Sequence, residues 1–117
     1  MDSVGQILDE ILSFSGVRSA LLAAREGLVI QMRGETAVDG ETLAAVVPTL
    51  INDSVEAAEA MEGGAFRQGV FEFDHGLLVL TSVDGDTFLA VAVRAGANIG
   101  ELLFTLERER NRLKELA

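Results

Sequence analysis

The hydrophobic pattern between Gly16 and Arg33 predicts a β-hairpin. Every position of Ser19–Ala24 is small or apolar, so neither face of this strand is polar, which is typical of a strand inside a sheet. Arg25-Glu26-Gly27 is a turn signal, because Gly accepts the conformation that closes a three-residue hairpin with a bulge. In Leu28–Arg33 polar positions return on one face, which predicts a strand nearer an edge.

Three further strands are predicted in the second half of the chain, at Ala65–Phe73, Leu77–Val83 and Thr87–Arg94. The turns between them are Asp74-His75-Gly76 and Asp84-Gly85-Asp86. The second and third of these strands are apolar on both faces and are therefore expected inside the sheet. Ala65–Phe73 mixes charged, polar and aromatic residues, which predicts the second edge.

Helical spacing of apolar residues predicts three helices. The first covers Asp2–Phe14, with Ser3 and Gln6 as a capping box and Gly16 placed to end it. The second covers Gly40–Met61 with Asp39 as N-cap, and we expect Pro48 to kink it rather than divide it. The third starts at Asn98, a capping residue, with Glu101 at the third helical position. Its far half, Glu107–Glu115, is charged on most of its circumference and is expected to project into solvent or toward a partner.

These elements predict an α+β fold, an α/β/α sandwich built on a single five-stranded antiparallel sheet. The element order is α-β-β-α-β-β-β-α. Placing Thr87–Arg94 beside Val17–Ala24 gives each interior strand two neighbours and leaves Leu28–Arg33 and Ala65–Phe73 as edges. Two helices are then expected on one face and the long helix on the other. At 117 residues, the chain is expected to form a single domain over residues 1–117.

Charge and composition exclude several classes of function. The net charge of −10 disfavours nucleic-acid binding, which needs clustered Lys and Arg. No apolar run approaches the ~20 residues of a membrane span, and no segment resembles a signal peptide. The sequence contains no Cys, which removes disulfide and zinc-thiolate chemistry and favours a reducing cytoplasm. We therefore expect a cytoplasmic protein that binds neither nucleic acid nor membrane.

Candidate catalytic and metal sites are weak. His75 is the only His and lies in a predicted turn, and Asp84 and Asp86 flank a turn Gly without the remaining ligands of a calcium loop. The only Gly pair, Gly63-Gly64, leads into a strand and lacks the Lys of a phosphate-binding loop. Neighbouring carboxylates such as Glu107 and Glu109 are expected on solvated helix surfaces. The sequence thus predicts no enzymatic activity, no catalytic residue, no metal and no cofactor.

Four segments resemble the Roadblock/dynein light chain family, and the similarity extends over about residues 3–112. They are "VRSALLAAREGLVI", the Ala-rich second helix, "GVFEFDHGLLVLTSVDGDTFLAVAV" and "RAGANIGELLFTLERER". The resemblance, which is to bacterial MglB-like members in particular, implies a profilin-like fold and a homodimer. In that dimer the long helix and the third strand pair with their counterparts. It also implies a small Ras-like GTPase as partner, regulated without an arginine finger.

The dimer that the resemblance implies gives a specific set of interface residues. We expect it to use Leu43, Val47, Leu50, Ile51, Ser54, Val55 and Ala58 of the long helix and Phe66, Val70 and Phe71 of the edge strand. Independently, an open edge that carries these aromatic residues is an aggregation hazard unless it is paired. Candidate partner-binding residues on the outer side of the helix are Asn52, Asp53, Glu56 and Glu59. A dimeric adaptor that docks to a kinase or motor component without acting on nucleotide is the alternative function.

Overall fold

The computed structural model describes residues 2–116. In chain order the elements are α1 (Ser3–Leu12), β1 (Val17–Ala24), β2 (Val29–Gly34), α2 (Gly40–Ala60), β3 (Gln68–Phe73), β4 (Gly76–Ser82), β5 (Thr87–Arg94) and α3 (Gly100–Leu116). The strands form one antiparallel sheet in the order β2-β1-β5-β4-β3. The predicted fold class, element order and edge strands are therefore confirmed.

Strand β1 lies inside the sheet because both of its edges are paired. Leu21 stands opposite Met32 of β2 on one side and Ala90 of β5 on the other. The hairpin turn closes as predicted, since the backbone N–H of Ala24 donates to Leu28 O at 2.9 Å and that of Gly27 donates to Ala24 O at 2.8 Å. A register shift between Leu22 and Ala23 makes the β1–β2 ladder irregular near this turn.

Two hydrophobic layers cover the two faces of the sheet. On one face α1 and α3 pack against alternate residues of the inner strands, including Leu22, Val79 and Val91. On the other face α2 packs alone, with Ala44, Val47 and Ile51 against residues such as Leu21 and Phe88. The expectation of two helices on one face and the long helix on the other is confirmed.

The ends of α1 differ from the sequence prediction. Asp2, not Ser3, is the N-cap, and its Oδ1 accepts the backbone N–H of Gly5 at 3.0 Å. A carboxylate one residue earlier satisfies the free N–H, so Ser3 becomes the first helical residue. The helix ends at Leu12, before Phe14 and Gly16, with Ser13 as its C-cap.

Helix α2 follows the prediction closely. Asp39 is its N-cap and accepts the Thr42 backbone N–H at 3.1 Å and the Thr42 hydroxyl at 2.8 Å. The helix continues through Pro48 as one element, although Pro has no N–H to donate to the carbonyl of Ala44.

Helix α3 corrects the expectation that its far half projects away from the fold. Leu113 is fully buried in the layer shared with α1, and Glu109 is also buried. The helix therefore packs along most of its length. The helix begins at Gly100, two residues after the predicted cap Asn98, so Glu101 is its second helical residue rather than its third. The Asn98 side chain still accepts the backbone N–H of Gly100 at 3.1 Å and satisfies one free N–H at this end.

Strand β3 is shorter than predicted. It begins at Gln68 rather than Ala65, and Phe66, just before the strand, is partly buried against the α2 layer. The preceding carbonyl, of Arg67, accepts the Ser82 backbone N–H at 2.9 Å and the Arg110 side chain at 3.3 Å. The start of this edge strand is thus held by both β4 and α3.

Candidate functional site

Helix α2 leaves part of its face of the sheet uncovered. It packs over β1 and β2, on one side of the sheet. An open groove of about 950 Å³ lies on the side of α2 that faces β3. It is bounded by α2 and by the neighbouring ends of β3, β4 and β5. Leu43, Val46 and Leu50 of α2 line one wall, and sheet residues such as Phe73 and Leu78 line the other. The groove is therefore an apolar surface that adjoins the β3 edge.

Large apolar side chains are exposed at this surface. Val46 is 50% exposed and Phe73 is 60% exposed. Val70 in the middle of β3 is exposed as well, but it stands opposite Val79 of the α1–α3 layer and therefore lies on the other face of the sheet. Fully burying a side chain of this size stabilises by roughly 1.5–3 kcal/mol. A protein surface that covers both the groove and the β3 edge would therefore gain a substantial hydrophobic contribution.

The groove has a polar end with its own hydrogen bonds and ion pairs. Arg18 lies 3.5 Å from the Glu35 carboxylate, which also binds Arg94 at 2.9 Å. The pKa of Asp39 is held below its ordinary value, first by the backbone N–H of Thr42 and then by the Thr42 hydroxyl. His75 also lies at this end, exposed in the β3–β4 turn as predicted. Asp39 thus caps α2, and Arg18, Glu35 and Arg94 form an ion-pair cluster.

Between residues 2 and 116, no three His, Asp or Glu side chains are grouped so that they could hold a metal ion. Of the helices in that range, none combines the length and the apolar character that crossing a membrane requires.

The predicted interface residues divide into three groups. Leu43 and Leu50 line the groove, and Val70 is exposed on β3. Five more are partly buried and do not line the groove, namely Ser54, Val55, Ala58, Phe66 and Phe71. Val47 and Ile51 are different, because both are fully buried beneath α2 in the chain's own core. These two residues support the fold and do not reach the surface at which a second molecule would pack.

Two groove residues, Val46 and Phe73, were missing from the predicted interface. The signal for Val46 was present in the sequence, since it lies three residues after Leu43 and four before Leu50 on one side of the helix. Phe73 is the last residue of β3 and lies where the edge strand meets the groove.

All four candidate partner-binding residues are exposed on α2: Asn52, Asp53, Glu56 and Glu59. Asn52 also holds the hairpin turn, since its Oδ1 accepts a hydrogen bond from Arg25 Nη2 at 3.2 Å. No Lys or Arg occurs between residues 34 and 66, so the outer surface of this helix is acidic.

Comparison with known proteins adds to this geometry. The profile of the Roadblock/LC7 domain matches residues 3–93. "Uncharacterized protein MJ0310" of Methanocaldococcus jannaschii is 23% identical over 113 residues, which cover 97% of this chain and 98% of that protein. The structure of Myxococcus xanthus MglB superposes with a TM-score of 0.88 at 15% identity, covering 99% of this chain and 95% of that one. A structure described as MglB with tetrameric arrangement has a TM-score of 0.87 at 21% identity, covering 97% and 86%.

At these identities the structural likeness shows the fold, whereas the profile match shows the family. The matched residues run from α1 to the end of β5 and make up most of the chain. This protein belongs to the Roadblock/LC7 domain family.

Proposed function

We propose that the protein is a non-enzymatic homodimer that binds a small Ras-like GTPase in the cytoplasm and modulates its nucleotide cycle. The observation that carries the dimer is the joining of an open apolar groove to an unpaired edge strand on one side of the molecule. Membership of the Roadblock/LC7 family and the likeness to MglB support the choice of partner class.

Pairing of two β3 edges would remove the hazard of an open strand and join two sheets into one. The second copy's α2 would then cover the groove beside the first, with Leu43, Val46 and Leu50 against their counterparts. Such an interface is isologous, because the same surface is used by both molecules. The four exposed polar residues of each α2 would remain on the outside, where they are available to a partner.

The dimer is tested by charged substitutions at groove residues that are already exposed in the single chain. Val46→Glu and Phe73→Glu each place a carboxylate in the proposed contact without disturbing the core. Each substitution should therefore lower the mass measured by analytical ultracentrifugation from that of a dimer toward that of a monomer. The matched control is Leu28→Glu, since Leu28 is 65% exposed but lies beside β2, at the opposite edge of the sheet. A wild-type protein that sediments as a monomer at 100 μM would refute the dimer.

The partner is tested with a Ras-like GTPase encoded near this gene. We expect co-elution in at least one nucleotide state and a change in GTP hydrolysis or nucleotide release when the protein is added. Asp53→Lys with Glu56→Lys should weaken the complex, whereas the control Leu28→Glu should not. Binding without any change in the nucleotide cycle would favour the dimeric adaptor, and absence of a complex in both nucleotide states would exclude the GTPase assignment.

A further inference from the structure

The face of α3 that points away from the sheet carries a large exposed aromatic residue. Phe104 is 69% exposed on α3, which packs on the sheet face opposite the α2 groove. Beside it lies a shallow cavity of about 510 Å³, lined by Phe14, Glu101, Thr105 and Arg108 as well as by Phe104 itself. This surface therefore holds an aromatic protrusion and, next to it, a cavity wide enough for a phenyl ring.

Charges around Phe104 are arranged symmetrically along the helix. Glu101 lies three residues before it and Arg108 lies four residues after it, so both flank the aromatic ring on one face. Arg108 reaches Glu10 of α1 at 3.4 Å and Glu109 at 3.6 Å, while Glu101 is exposed. A two-fold axis through Phe104 would bring Glu101 of each copy opposite Arg108 of the other.

The charge balance of this helix differs from that of the rest of the molecule. Residues 98–117 carry four basic and four acidic groups, whereas residues 1–97 carry five basic and fifteen acidic groups. Two copies of a chain with net charge −10 repel each other across most surfaces. Across the α3 helix itself the opposing charges are equal in number, so repulsion between two copies is weaker there than across the acidic remainder of the chain.

We propose that the Phe104 surface, formed by Phe14, Glu101, Phe104, Thr105 and Arg108, is a second self-association site for another copy of this chain. In this contact two α3 helices lie antiparallel, and each Phe104 enters the cavity beside the Phe14 of the other copy. Aromatic contacts and stacking of the Arg108 guanidinium on Phe104 supply the attraction, and the two Glu101–Arg108 pairs fix the orientation.

This contact is independent of the groove and of the proposed function. Because it uses the opposite face of the sheet, both surfaces can be occupied in one assembly. Two isologous contacts on one protomer produce a closed tetramer or a longer chain, depending on the angle between their axes.

Charge reversal tests the contact in protein that also carries Val46→Glu, so that the groove contributes no association. Phe104→Glu should weaken the remaining self-association at least about ten-fold, measured by sedimentation equilibrium. Glu101→Arg and Arg108→Glu should each weaken it by about three- to ten-fold. In the chain that combines both reversals, the charges that face each other across the contact are again opposite in sign. Its association constant should therefore lie within about two-fold of that of the parent protein.

A mixing experiment gives the sharpest outcome. The Glu101→Arg and Arg108→Glu proteins should each self-associate more weakly than the parent and should associate more tightly with one another when mixed in equal amounts. Leu28→Glu serves as the control and should leave association unchanged, and circular dichroism verifies that every variant is folded. The proposal would be overturned if Phe104→Glu left the sedimentation mass unchanged. It would also be overturned if association was restored neither in the mixture nor in the chain with both reversals.

Discussion

Gly34 faces Ser19 across the β1–β2 ladder at a separation that leaves no room for a side chain. A β-carbon at position 34 would stand 2.6 Å from Ser19 Cα and would also overlap the Arg18 carbonyl. The backbone of Gly34 has φ +129°, which L-residues with a side chain rarely adopt. We therefore expect Gly34→Ala to lower the free energy of unfolding by about 3 kcal/mol or more, measured by urea denaturation.

Gly64→Ala separates backbone strain from steric overlap. Gly64 also has a positive φ, +81°, but no heavy atom would lie within 4 Å of its β-carbon. Its substitution should cost about 1 kcal/mol, from the backbone conformation alone. If Gly34→Ala and Gly64→Ala lowered the free energy of unfolding equally, the backbone around Gly34 and Ser19 would have to move apart easily. That outcome would contradict the predicted steric overlap at Gly34.

The packing of the far half of α3 leads to a second prediction. Leu113 is fully buried, whereas Leu116 on the last turn is exposed. Leu113→Ala should destabilise the fold by about 2–4 kcal/mol through lost burial and a residual cavity, as judged by thermal and urea unfolding. Leu116→Ala is the matched control and should cost less than about 0.5 kcal/mol. Similar small effects at both positions would mean that this end of the helix is frayed in solution.

The strand order could be predicted because strands apolar on both faces must have neighbours on both sides. Ser19–Ala24 and Phe88–Val93 have that pattern, and both proved to be interior. Helix ends were less certain, because adjacent residues such as Asp2 and Ser3 can each act as a cap. Only the three-dimensional structure shows which of them accepts the free backbone N–H.

The groove was harder to predict than the fold. Helical periodicity identifies the apolar side of α2, but it does not say how much of the sheet one helix covers. Val47 and Ile51 therefore looked equivalent to Leu43 and Leu50, although the first pair is buried and the second lines the groove. For Glu109 a spacing signal existed, three residues after Leu106 and four before Leu113, but its charge suggested a solvated position.

Buried Glu109 leads to a third prediction, on ion pairs. Its side chain is almost completely buried and accepts Arg112 Nη1 at 2.8 Å, with Arg108 at 3.6 Å. Arg112→Ala leaves this carboxylate with a weaker partner and should destabilise by about 1–2 kcal/mol. Arg67→Ala is the control, since the Arg67–Glu107 pair is exposed on both sides and should contribute less than about 1 kcal/mol. This ranking would be contradicted if urea denaturation showed a larger loss in the free energy of unfolding for Arg67→Ala than for Arg112→Ala.

The β4–β5 turn leads to a prediction of pH dependence. Partial burial would raise the pKa of Asp84, but the Asp86 backbone N–H and the Thr87 hydroxyl and backbone N–H, which bind its Oδ1 at 2.7–3.0 Å, bring the pKa below its ordinary value. The folded pKa is therefore lower than the unfolded one. The stabilisation is present above about pH 4 and is lost as the pH falls through the folded pKa.

Asp84→Asn keeps an acceptor oxygen but does not titrate. At pH 7 it should be less stable than the wild type by about 1 kcal/mol, because hydrogen bonds to a charged acceptor are stronger. Near pH 3 the difference between the two proteins should shrink, as followed by urea denaturation across this range. A constant difference would show that ionisation of Asp84 does not contribute to folding.

Arg25 allows a test of how the proposed regulator acts on its partner. It is the basic residue of the β1–β2 turn, and its side chain donates to Asn52, one of the candidate partner-binding residues. If the protein supplied an arginine finger, removal of that group would reduce stimulated GTP hydrolysis by about 10³-fold or more. We expect Arg25→Ala to change the stimulated rate by no more than about three-fold, because the proposed regulator acts without an arginine finger of its own. Arg94→Ala, which removes an exposed arginine from the other end of the sheet, controls for the loss of one positive charge. A selective collapse of the rate in Arg25→Ala, with binding and folding intact, would instead identify Arg25 as a residue that contacts the transferring phosphoryl group.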